Sequence, residues 1–140
     1  MAARSPQLLN AWLLGIIVTV INPCMAEEPR VTAQDFSNCV PTGNLRGDPE
    51  NGKTLHVEHC AACHGMTGAA DVVVMHMDET PKDQGDPKYM KQLPDEYLYL
   101  AICKGGEGVG KSYVMSPWGD FFTEQEIRDL IAWVRTFSGT

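Results

Sequence analysis

Near the end of the chain Ile127, Leu130, Ile131, Val134 and Phe137 recur at helical spacing, with polar and charged residues among them. That period makes one apolar face, and Thr123-Glu124-Gln125-Glu126 ahead of it is a capping box, so a helix is predicted from here. A second start stands at Asp48-Pro49-Glu50: a carboxylate cap, proline at the first helical position and acid in the first turn. This helix is predicted to run to about His59. Asp86-Pro87 opens a short helix through about Leu93. Pro94-Asp95-Glu96 opens another, apolar at Tyr97, Leu98, Ala101 and Ile102, which Gly105-Gly106 stops. Gly105 to Gly119 holds five glycines and reads as a loop, as does most of Met66 to Gly85. Val72-Val73-Val74 is β-rich, but three residues make no sheet. The pattern predicts a small, loop-rich, all-α domain over 48–140.

The stretch before it divides in two. Arg4 gives a short positive start, Leu8 to Ile21 is apolar except for Asn10 and Thr19, and Pro23 breaks the run before Cys24-Met25-Ala26. Residues 1–26 have the layout of a secretory signal peptide cut after Ala26. The run is shorter than the roughly 20 residues of a spanning helix, so a membrane anchor is expected only if the leader stays uncleaved. Pro23 also argues against lipid attachment at Cys24. Residues 27–47, with Pro29, Pro41, Gly43 and Gly47 and no sustained period, read as an extended N-terminal segment lying on the domain.

Charge and cysteines narrow the chemistry. The 140 residues carry 11 basic and 18 acidic side chains, a formal charge of -7 that becomes -8 when Arg4 leaves with the leader. Such an anion is a poor nucleic-acid binder, which neutralises phosphates with Lys and Arg. Export places Cys39, Cys60, Cys63 and Cys103 in an oxidising compartment.

Cys60-Ala61-Ala62-Cys63-His64 is the central motif. Thiol–disulfide exchange uses such a pair behind a strand in a βαβ setting, and no strand pattern precedes this one. Zinc needs four closed ligands, and no second Cys-x-x-Cys follows. Covalent haem attachment fits better: two thiols at this spacing add across the two vinyl groups of one porphyrin edge, and the next imidazole lies under the iron. A large apolar cofactor would also supply core to a domain of limited size. The sixth ligand has several candidates: Met66, Met75, Met77, Met90, Met115 and His76. Met66 is too close to His64 to reach round the ring. Met115, in a Gly-rich loop stiffened by Pro117, is preferred, with His76 its main competitor. Met75-His76-Met77 also has the softness of a metal site, though an exposed loop is the simpler reading. His56 and His59 read as surface or packing residues of the first helix.

The chain resembles the bacterial single-haem class I cytochromes c. The resemblance runs from about Asp48 to Phe137. It rests on the haem motif with Gly65, on Asp95-Glu96-Tyr97-Leu98 leading to Lys104-Gly105-Gly106, on Met115-Ser116-Pro117-Trp118-Gly119, and on Glu126 to Arg135. It implies the class I cytochrome c fold around one haem c, bound covalently by Cys60 and Cys63 with His64 and Met115 as axial ligands. It implies that the first and last helices cross at Gly52, with Trp133 as the aromatic facing it. Two residues depart from the pattern. His56 stands where the family usually has an aromatic, and the loop after Gly65 lacks the early proline whose carbonyl orients the proximal imidazole, Pro81 being the next. Cys39 and Cys103 are left over, and a disulfide between them would pin the N-terminal segment to the helix before the Gly-rich loop.

The function expected is one-electron transfer in the periplasm, not enzymatic turnover, because both iron positions are filled by protein. Redox partners would dock transiently, and a basic docking face would gain on-rate from the acidic chain. The alternatives are a dedicated cytochrome subunit of a periplasmic dehydrogenase or terminal oxidase complex, a peroxidase or ligand sensor with open iron, and a thiol oxidoreductase.

Overall fold

The computed structural model describes residues 39–71 and 79–140. Their elements are α1 (Pro49–His59), α2 (Ala61–His64), α3 (Pro87–Met90), α4 (Asp95–Lys104), a 3-10 turn (Glu107–Val109) and α5 (Glu124–Ser138), with no strand among the described residues. The leader at 1–26, the first part of the extended segment, Val72-Val73-Val74 and Met75-His76-Met77 lie outside the described residues. No described helix is long and apolar enough to cross a membrane.

The caps form as the local sequence dictates. Asp48 accepts from Glu50 N–H at 2.9 Å, and Thr123 and Glu126 exchange reciprocal bonds at the head of α5. The second half of the Asp86-Pro87 helix does not form: α3 ends at Met90, and Gln92 and Leu93 make only i to i−3 bonds to Tyr89 and Met90. Pro94 disfavours helical backbone at the residue before it, which holds Leu93 out of the helix.

The α1–α5 pair is the most extensive packing in the fold. Gly52 makes it possible, since a Cβ there would overlap the Asp129 carbonyl. The atoms that come closest to Gly52 are backbone atoms of Asp129 and Leu130. With no side chain between them the two backbones meet directly. Trp133, one turn further on, takes the flank, edge-on to Phe137 at 5.3 Å with Lys53 Nζ 5.5 Å from its ring centre. Of the two roles expected for His56, surface or packing, the structure shows packing: it is buried, 1% exposed, and its ring meets Phe137 edge-on at 5.2 Å.

Asp129 is buried in this crossing and accepts from Asp48 N–H at 2.7 Å, Asn51 Nδ2 at 2.7 Å and Gln125 Nε2 at 2.8 Å. Burial alone would raise its pKa, but the three bonds outweigh it and hold the carboxyl below the usual range. A folded value below the unfolded one means that the stabilisation is present above about pH 4 and is lost as pH falls through the folded value. Asp129→Asn is therefore expected to cost about 2 kcal/mol at pH 7, the worth of hydrogen bonds to a charged acceptor. It should also flatten the acid limb of stability. Urea midpoints at pH 7 and pH 3 test this: the variant's loss should shrink at the lower pH.

The core lies under α5. Ile127, Leu130, Ile131 and Val134 are buried with Met90, Leu98, Tyr99 and Phe122. Arg135 ties α5 to the α3–α4 connection, donating to Asp95 Oδ1 at 2.6 and 2.8 Å and to the carbonyls of Met90 and Leu93. Residues 39–47 are non-helical and lie against α5. Thr42 donates to Glu124 through its amide at 2.5 Å and through its hydroxyl, while Arg128 donates to the Thr42 carbonyl. Cys39 and Cys103, both buried, form a disulfide with Cα atoms 5.7 Å apart, joining this segment to α4.

Candidate functional site

A cavity of about 290 Å³ opens between α2, α4, α5 and the loops 79–84 and 106–118. Its walls are largely apolar: Leu93, Leu98, Ala101, Ile102, Val109, Ile131 and Val134 contribute. Cys60, Cys63, His64 and Met115 all line it. Among the other ligand candidates Met90 also reaches the cavity while belonging to the core, Met66 is exposed, and Met75, Met77 and His76 lie outside the described residues.

The order of the motif comes from α2. Cys60 ends α1 and caps α2, so Cys63 and His64 follow within one turn. Gly65 closes that turn with φ of 75°, a backbone that most side chains avoid. Cys60 and Cys63 form no disulfide among the described residues. Burial, then the neighbouring Cys63, pushes the Cys60 thiol up to about 11. That is the opposite of the depressed thiol on which disulfide exchange depends. Burial first, and the charge of His56 second, bring His64 down to about 4, so its imidazole is neutral at physiological pH, the form that binds metal. Its Nδ1 is buried without a hydrogen-bond partner among the described residues.

The methionine loop is built from the other side. Met115 O accepts from Gly106 N–H at 2.9 Å, and a Cβ at Gly105 would lie 2.6 Å from that same carbonyl. Gly105 has φ of 71°, so both its conformation and its close approach call for glycine. Trp118 N–H and Gly119 N–H donate to Ile102 O and Cys103 O at 3.0 Å. The last turn of α4 thus satisfies its carbonyls with the loop's amides. Trp118 stacks on Phe122 at 5.1 Å, and His59 meets both rings at 5.2 to 5.6 Å. This aromatic cluster, which joins the end of α1 to the methionine loop, has no signature in the sequence beyond its residue types.

The donor set fits haem c. Two thiols one helical turn apart, a neutral imidazole next to them and a thioether border one apolar cavity. Lys82, Lys111, Ser112 and Thr80 at its lining offer partners for the carboxylates of a macrocycle. A closed zinc site does not fit, because Cys39 and Cys103 are bonded to each other and no three of His, Cys, Asp and Glu converge among the described residues.

Residues 47–134 match the model of a family described as cytochrome C oxidase, cbb3-type, subunit III. No curated protein matches the chain.

Proposed function

This chain belongs to that family of c-type cytochrome domains, an electron-transfer family that implies covalently bound haem c, and from that premise we propose that it is a single-haem electron carrier of the periplasm. The observation that carries the reading is the placing of Cys60, Cys63, His64 and Met115 on one apolar cavity. Haem bound there supplies a one-electron ferric–ferrous couple. The residues then have separate tasks. Cys60 and Cys63 tether the porphyrin edge. His64 and Met115 would ligate the iron from the protein, so that the bound haem would serve electron transfer. Leu98, Ile102, Ile131 and Val134 exclude water. The backbone bonds from α4 to Met115–Gly119 hold the thioether ligand through the change of charge, which keeps rearrangement small.

Partners are protein redox centres that dock transiently. At long range the net charge of the exported chain favours a basic partner, with an on-rate that falls as salt rises. At the cavity itself Lys82 and Lys111 stand with Glu79, so close contact is of mixed sign.

The second reading is a subunit of a terminal oxidase or dehydrogenase complex, and the family's description favours its oxidase form. Tyr113, 81% exposed, and Phe121, 75% exposed, give a stable interface apolar anchors near the methionine loop. A monomer on sizing counts against it; copurification in a fixed ratio with larger subunits supports it.

The central test is purification from periplasm with haem staining after denaturing electrophoresis, an intact mass and an absorption spectrum. The expected result is residues 27–140 plus one haem, with the weak red-edge band of methionine-bound ferric iron. Protein without covalent haem, or with haem that binds carbon monoxide readily in place of that band, overturns the carrier reading.

A further inference from the structure

Three neighbouring side chains hold four buried polar atoms without a hydrogen-bond partner among the described residues: His64 Nδ1, both ring nitrogens of His56, and Gln84 Oε1. Gln84 meets Phe137 at Gly68, His56 lies against the same Phe137 ring, and His64 is tied to this turn through Ala70. After α2 the chain turns back so that Ala70 N–H donates to His64 O at 2.8 Å. Gln84 N–H donates to Gly68 O at 2.9 Å, and Gln84 Cβ lies 2.9 Å from the place a Cβ on Gly68 would take. Phe137 reaches the same point from α5, 2.6 Å away, and its ring also covers His56. Gln84 and His64 share the cavity wall.

Buried polar groups without partners are rare in folded proteins, so four together call for an account. These four are complementary. An imidazole that binds metal through Nε2 keeps Nδ1–H as a donor. An amide oxygen accepts two hydrogen bonds, and an imidazole carries at least one N–H in either protonation state. We propose that Gln84 Oε1 is the acceptor that orients His64 through Nδ1–H, and that His56 holds the Gln84 amide from behind with its own N–H. Burial draws His56 below its ordinary value and Gln84 opposes this, so the two side chains lie close together, short of a formed hydrogen bond. Pro81, the first proline after Gly65, lines the cavity yet leaves His64 Nδ1 unpartnered. Gln84 and His56 are positioning residues in this scheme, acting on the iron only through His64.

The inference rests on His64 as an axial ligand. An acceptor on Nδ1–H raises the basicity of the imidazole, which favours ferric iron and lowers the potential. In the haem-loaded protein Gln84→Leu should shift the ferric–ferrous equilibrium about tenfold toward ferrous, about 59 mV for one electron. Gln84→Glu should shift it the opposite way. His56→Phe keeps the ring against Phe137 and should act in the direction of Gln84→Leu, less strongly. The Nδ1–H proton resonance of ferrous protein should move with the same signs. A purely structural role would lower thermal stability in all three without that change of sign. Potentials and Nδ1–H resonances at wild-type values in haem-loaded Gln84→Leu and His56→Phe overturn the proposal, as does a shift of equal sign in Gln84→Leu and Gln84→Glu. Wild-type protein that carries no covalent haem would instead remove the function proposed above.

Discussion

Met115→Ala is expected to lower the midpoint potential by on the order of 0.2 V, a fraction of the roughly 0.8 V over which axial ligands set haem potentials. The thioether favours ferrous iron, so its loss favours ferric. The red-edge band of the ferric protein should vanish, and the ferrous protein should bind carbon monoxide. The fold should survive, because the loop is held by backbone groups that alanine keeps: Met115 O to Gly106, and the amides of Trp118 and Gly119 to α4. Met90 makes the useful control. It lines the same cavity but is 2% exposed and packed in the core. Met90→Leu should cost stability, under about 1.5 kcal/mol for a swap of similar volume, and leave band and potential in place. Potentiometric titration followed by absorption separates the two variants. A band that survives in Met115→Ala and disappears in Met90→Leu would exchange their roles.

What could be read in the sequence was local. Asp48-Pro49-Glu50, the Thr123 capping box and the Gly105-Gly106 stop each concern residues within one turn, and each helix end stands where they put it. Cys60 to His64 is likewise a five-residue signal whose parts α2 must bring together. The rest depends on residues distant in the chain. His56 is polar on a helix with little apolar patterning, and its burial against the Phe137 ring depends on α5 arriving from the far end of the chain. Asp129 reads as part of the polar face of α5 until Asp48 and Asn51 of the first helix arrive with their donors. The resemblance marks Gly52 as the crossing point of the first and last helices, but not its direct contact with the Asp129–Leu130 backbone, since a backbone–backbone approach leaves no mark on the facing side chains. Gln84 belongs to no motif, and its place beside Gly68 comes from a loop that no periodicity describes.

Replacing Cys39 and Cys103 together by alanine is expected to remove about 4 kcal/mol of stability, the loop-entropy value for a bridge across 64 residues. The loss should not fall evenly. Residues 39–47 keep their other ties to α5 through Thr42, Glu124 and Arg128. The methionine loop depends on the bridge more directly. A Cβ on Gly119 would stand 2.6 Å from Cys103 Sγ and 3.2 Å from Cys39 Sγ, so the loop's last residue lies against both sulfurs. Gly119 N–H also donates to the Cys103 carbonyl at 3.0 Å. Without the sulfurs that contact becomes a gap at a buried site, and the Met115–Gly119 stretch loses part of its support. Heating should show this as a split transition. In the wild type the red-edge band and the far-ultraviolet circular dichroism should melt together. In the double variant the band should fade first, and urea midpoints should record the lower overall stability. Coincident melting of band and helix in the variant, with stability within about 1 kcal/mol of wild type, would show that the bridge neither supports the methionine loop nor contributes the entropy its loop length assigns it.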